Sequence, residues 1–165
     1  IGTIELLLTK PITEFKLVLG KYIAGIILCL IAIAPTMIYV FSIYALGQPK
    51  GNLDWGATIG SYIGLIFLAG VYVSIGLFAS SLTESQILSF ISALFICFFF
   101  FIGFEQIASL LSYTGMELNI EKLGVNYHYN AISRGVVDTR DLLYFISVIL
   151  LFIFASTISI KSRKW

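Results

Sequence analysis

The chain has 165 residues, of which 59% are hydrophobic and only 12% charged, and its mean hydropathy is +0.99. A soluble domain is about 45–50% apolar and about 25% charged, so this composition excludes a water-soluble globular protein and indicates an integral membrane protein. A net charge of +1 leaves no electrostatic footprint for nucleic acid, and Cys29 and Cys97 both lie inside apolar runs, as small hydrophobes rather than reactive thiols.

The opening stretch, residues 1–13, is too short and too charged to span a bilayer, yet it leads straight into an apolar run. Ile4, Leu7 and Leu8 fall at i, i+3 and i+4, on one face of a short helix. Glu5 lies in its first turn and Lys10 in its last, where the helix dipole favours each charge. Pro11 stops this helix, because it disfavours the helical conformation at Lys10 and brings no N–H. Thr13 then reads as the N-cap of a longer helix. A short amphipathic helix is therefore held at the membrane surface just ahead of a span, where it can lie on lipid or dock into a groove on a soluble partner. The chain opens at Ile1 in the manner of an internal loop, so an N-terminal part is expected ahead of it; no signal-peptide pattern is present.

A span needs about 20 apolar residues. The first is expected over 14–46, apolar from Tyr22 onward, with a kink at Pro35. Residues 47–54 are rich in turn formers and make a loop, and Trp55 marks an interface. The second span covers 57–79 and carries Gly60 and Gly64, with Gly70, Ser74 and Gly76 beyond, so a neighbouring helix of this chain or of a second copy can approach it closely. Residues 80–86 form a tight connection in which Ser81 with Glu84, or Thr83 with Gln86, can build a capping box. The third span covers 87–104, and its phenylalanine-rich run from Phe95 to Phe101 is apolar all round, for lipid or for packing. Residues 105–141 are the one long polar segment, with helical turns expected at 119–124 and 130–135, as a pair of short helices at the membrane edge. Asp138 and Asp141 precede or open the last span, 142–160, where the dipole favours acids, and residues 161–165 end the chain as a basic, aromatic anchor.

Charge sets the expected orientation. One side of this four-span arrangement holds Lys10, Lys16, Lys21, Lys161, Arg163 and Lys164 against Glu5, Glu14 and Glu84. The other holds Lys50, Lys122, Arg134 and Arg140 against a larger set of acids. The excess of basic residues makes the first side cytoplasmic. No ionisable residue lies in the centre of a span, which argues against proton- or sodium-coupled transport. There is no phosphate-binding loop; Gly20-Lys21 lacks the upstream glycine and the hydroxyl. His128 stands among Tyr127, Tyr129 and Asn130 with no evident second ligand, and no nucleophile–base pair is visible. The chain is read as performing no chemistry itself, with no cofactor of its own, so energy for transport must come from a partner.

Gly2-Thr-Ile-Glu-Leu-Leu-Leu-Thr-Lys-Pro-Ile12, followed by Leu19-Gly-Lys21, resembles the cytoplasmic coupling segment of type-2 ABC transporter permeases. The turn from Ser80 to Glu84 and the stretch from Ile132 to Phe145 are similar to that family too, and together these segments look nearest to its gliding-motility-associated permease subunits. The resemblance implies an all-α polytopic bundle with four transmembrane helices here out of an expected six. It also implies an N-terminal cytoplasmic coupling helix and short extracytoplasmic helices before the last span. The implied function is export through the inner (cytoplasmic) membrane, driven by ATP on a separate ATP-binding cassette subunit, with a second permease subunit as homo- or heterodimer partner. On this reading Thr3, Ile4, Glu5, Leu6, Leu7, Leu8, Thr9, Lys10 and Pro11 contact the ATPase. The alternatives are a non-transporting membrane scaffold of a motility or secretion machine, and an intramembrane enzyme using His128 or the acids near Glu105.

Overall fold

Inside a bilayer the backbone must satisfy its own hydrogen bonds, so long apolar runs become helices. Four helices here are long and apolar enough to cross a membrane: Glu14–Leu46, Trp55–Leu82, Gln86–Leu110 and Thr139–Ser162. The structure, a computed structural model, describes residues 13–111, 113 and 115–162. It is all-α, with no strand among the described residues. The helices are α1 (Glu14–Ile33), α2 (Met37–Leu46), α3 (Trp55–Leu82), α4 (Gln86–Phe98), α5 (Phe104–Leu110), α6 (Glu117–Glu121), α7 (Val125–Ser133) and α8 (Thr139–Ser162). A 3₁₀ turn, Ala34–Thr36, joins α1 to α2, and a π-helical segment, Phe99–Gly103, joins α4 to α5.

The second span, α3, is the helix on which the others pack: α1, α4, α7 and α8 all lie against it. Val71 and Ile75 of α3 meet Phe145, Val148 and Phe152 of α8, and Val125 and Ile132 of α7 complete this core. Small residues make the packing close, since Gly60, Gly64, Gly70 and Ser74 are all buried. At Gly60 the approach is closest: a Cβ there would collide with the Ile132 carbonyl and lie 2.9 Å from the Gly135 Cα. Gly135 has φ +85°, and a Cβ on it would lie 2.8 Å from the Gly56 carbonyl carbon. The Ser61 hydroxyl donates to the Ser133 carbonyl across the same crossing, at 3.3 Å. The small face at the start of α3 is thus occupied by the end of α7, within one chain.

Local chemistry sets where the helices stop. Pro35 has no N–H to continue α1, and the chain tightens into the 3₁₀ turn. There the Thr36 hydroxyl donates to the Ile33 carbonyl at 2.6 Å and lies 3.0 Å from the Tyr62 hydroxyl. Asp54 caps α3, accepting the Ala57 N–H at 3.0 Å. Between α3 and α4 neither expected capping box forms, because α3 runs on to Leu82 and keeps Ser81 inside it. Ser85 is the cap instead, accepting the Leu88 N–H at 3.5 Å, while Thr83 accepts the Ser85 N–H at 3.0 Å. Thr13 occupies the N-cap position of α1 with extended backbone, but its side chain makes no capping bond.

The third span continues past Phe104 to Leu110 by way of the π-helical segment. Phe100 leans edge-on against Phe104 and Phe152, with ring centroids 5.7 and 5.4 Å apart. In the polar segment the short helices begin ahead of the expected turns, at Glu117 and Val125 in place of 119 and 130.

Candidate functional site

The residues expected to contact a soluble partner, Thr3, Ile4, Glu5, Leu6, Leu7, Leu8, Thr9, Lys10 and Pro11, lie outside the described residues. The structure does describe the joint they lead into. The Thr13 carbonyl accepts the Leu17 N–H at 3.2 Å and starts α1. One turn later Val18 is only 2% exposed, and Phe15 stacks on Phe154 of α8 with centroids 5.9 Å apart. Around this end α1, α3 and α8 enclose a groove of about 290 Å³, lined by Leu17, Val18, Lys21, Leu77, Ser81 and Ser156 among others. Ser156 is buried and its hydroxyl donates back to the Phe152 carbonyl at 2.7 Å. The Ser159 hydroxyl donates to the Ser81 carbonyl at 2.9 Å and staples α8 to the end of α3. Both of these hydroxyls are spent on carbonyls, and Val18 with the Phe15–Phe154 contact seats the first turns of α1 beside the groove.

At the opposite end of the bundle, α7 and the turn before it rest on the first turns of α8. His128 and Asp141 are 9% and 7% exposed, and the His128 Nδ1 lies 2.6 Å from the Asp141 Oδ1. The other ring nitrogen, Nε2, lies 2.8 Å from the Lys122 carbonyl. Tyr144 stacks on the imidazole, with centroids 3.9 Å apart, and its hydroxyl donates to the Leu123 carbonyl at 2.6 Å. A cavity of about 360 Å³ opens beside the pair, lined by Lys122, Tyr127, Asp138 and Arg140 among others. Asp138 is exposed; the Arg140 N–H donated to it at 3.0 Å is the main reason its carboxyl sits below the usual carboxylate range, and the Thr139 hydroxyl adds a second bond. Glu105 accepts from the Asn126 amide at 2.9 Å.

His128 therefore has a partner that the linear sequence did not suggest. The pair is separated by 13 positions and a turn, and Asp141 had a sufficient reason to be where it is in the helix dipole alone. A signal was available, namely an acid in the first turn of a span that follows closely on a short helix bearing the chain's one histidine. Among the described residues no cluster of histidine, cysteine and acids could hold a metal ion.

Residues 1–157 match the family model described as ABC-2 family transporter protein. No curated protein and no solved structure matches the chain.

Proposed function

Because the chain belongs to the ABC-2 transporter family, we propose that it exports a substrate across the inner membrane, using ATP hydrolysed on a separate cytoplasmic subunit. It is a permease-type membrane component, and in this family such a component works with an ATP-binding cassette ATPase and dimerises in the membrane. The contact with the ATPase is assigned to residues 3–11, whose amphipathic spacing gives one apolar face from Ile4, Leu7 and Leu8. The end of the bundle bearing Lys16, Lys21 and Lys161 is cytoplasmic on the excess of basic residues there, and the short helices α6 and α7 lie on the other side. Motif similarity to gliding-motility-associated permeases supports placing the chain in that branch, with motility as the process it serves.

The observation that carries the coupling reading is the packing of the first turns of α1. Val18 is buried there and Phe15 stacks on Phe154 of α8, which supports reading the start of α1 as the place where a push from the preceding segment enters the bundle. The test is an Ile4→Asp, Leu8→Asp double substitution. Placing unpaired charge in a buried apolar contact costs on the order of a few kcal/mol. Each 1.4 kcal/mol is about tenfold in affinity, so ATPase association should fall by about one to three orders of magnitude. The spans are untouched and the variant should insert at normal levels, with export lost. Unchanged co-purification together with unchanged permease-dependent ATP turnover refutes the coupling role.

A further inference from the structure

We propose that His128, Asp141 and the Lys122 carbonyl form a proton-binding latch that fastens α7 to the start of the last span. The atoms that can donate fix how many protons the pair must hold. A carbonyl oxygen only accepts, so the His128 Nε2, 2.8 Å from the Lys122 carbonyl, must carry a hydrogen. Nδ1 faces the Asp141 carboxyl at 2.6 Å, a contact that also requires a hydrogen between its atoms. A neutral imidazole has only one N–H, and an ionised carboxylate has none. The geometry is satisfied only when the pair holds one further proton, as imidazolium with carboxylate or as imidazole with carboxylic acid. Either form is neutral overall, which suits two side chains only about a tenth exposed.

Loss of that proton to water, through the adjoining 360 Å³ cavity, leaves one net negative charge. Nδ1 then presents a lone pair to a carboxylate, and attraction becomes repulsion. The ionisable and charged groups around the pair are Lys122, Tyr127, Asp138 and Arg140 at the cavity and Tyr144 stacked on the ring. The hinge the latch controls is small. The turn at Lys122–Leu123 and the helix α7 rest on α8 through His128, through the Tyr144 bond to the Leu123 carbonyl, and through Val125 and Ile132 in the core. With the proton present α7 is seated; as pH rises and the proton leaves, α7 lifts. The inference stands apart from the identity of the ATPase or the substrate.

The experiment uses the full chain in lipid nanodiscs, with Cys29 and Cys97 replaced by serine. Val125→Cys, at the first position of α7 and fully buried, reports lifting through its rate of alkylation. Each rate is divided by that of the exposed Leu118→Cys, which cancels the pH dependence of the thiol itself. A hydrogen bond to a charged group is worth about 1.5–3 kcal/mol, so the ratio should rise roughly tenfold to a hundredfold as pH is raised. Asp141→Asn separates the proton from mere contact. Its amide N–H can donate to Nδ1 while the neutral ring still donates to the Lys122 carbonyl, so the ratio should stay low and become flat with pH. His128→Asn leaves the carboxylate without the ring and should give a high ratio throughout. Proton NMR should show a far-downfield resonance for the Nδ1–Oδ1 contact, vanishing as pH rises and absent in Asp141→Asn. A flat ratio in the unsubstituted latch, or a pH-dependent rise that survives in Asp141→Asn, overturns the proposal.

Discussion

Asp138 and Asp141 stand three positions apart at the start of one helix and do different work. Asp138 is exposed and accepts the Arg140 N–H, which holds its carboxyl below the usual range. A carboxyl depressed on folding stabilises above its unfolded pKa and loses that contribution as pH falls through the depressed value. The first turn of α8 should therefore stay ordered through mildly acidic conditions and loosen only in stronger acid. Hydrogen exchange at the Arg140 amide, corrected for its intrinsic rate, should show protection lost in that acidic window, and lost at every pH in Asp138→Ala. Retained protection in Asp138→Ala would show that the cap does not hold the turn. Asp141, by contrast, is buried against His128. Sequence reasoning explained both acids by the dipole and stopped there, because a residue whose position already has one physical reason does not advertise a second. The same limit applied to His128: Tyr127 beside it in sequence meets its ring edge-on, but the stacking comes from Tyr144 and the hydrogen bonds from Lys122 and Asp141.

At the scale of elements, the four spans were legible because a run of about 20 apolar residues has few other fates. Their ends were less so. Ends depend on which of several adjacent Ser, Thr or Asp side chains wins the orphan N–H groups, and Asp54 and Ser85 won where other candidates stood nearby. The glycines of α3 showed a small face but not what would fill it; Gly60 and Gly64 receive α7 and the turn after it, and Gly70 receives side chains of α1 and α8. This makes Gly60→Ala informative. The atoms a Cβ would meet, the Ile132 carbonyl and the Gly135 Cα, are backbone and cannot rotate away. Overpacking of this kind costs roughly 1–3 kcal/mol, so the substitution should lower the thermal unfolding midpoint and raise exchange along α7. Gly76→Ala is the comparison: nothing lies within 4 Å of its Cβ position, and alanine is the better helix former, so stability should hold or rise slightly. Equal behaviour of the two variants would mean that the α3–α7 crossing is looser than its geometry.

At the scale of the whole molecule, the expected sidedness is open to a direct check. In a background without Cys29 and Cys97, Lys50→Cys and Leu118→Cys should react with an impermeant thiol reagent added to intact cells. Ser162→Cys should react only after the membrane is opened, and the reverse pattern would invert the arrangement. The class of the protein was legible from composition, since apolar content this high fits only a lipid solvent. Which span sits at the centre was not, because hydropathy ranks helices by solvent and not by neighbours. The break at Ala34–Thr36 also bears on how the protein meets its bilayer. The first span has 33 residues and, at 1.5 Å each, would measure about 50 Å if straight, against a hydrocarbon thickness of about 30 Å. Beyond the break, Met37, Ile38, Tyr39, Phe41, Ile43 and Leu46 are all exposed, and α2 is tied back through the Thr36–Tyr62 hydroxyl contact and the Tyr44–Trp55 ring contact. The break divides that length: the 20 residues of α1 alone measure about 30 Å, the thickness of the hydrocarbon core, and the ten residues of α2 form a separate segment beyond it.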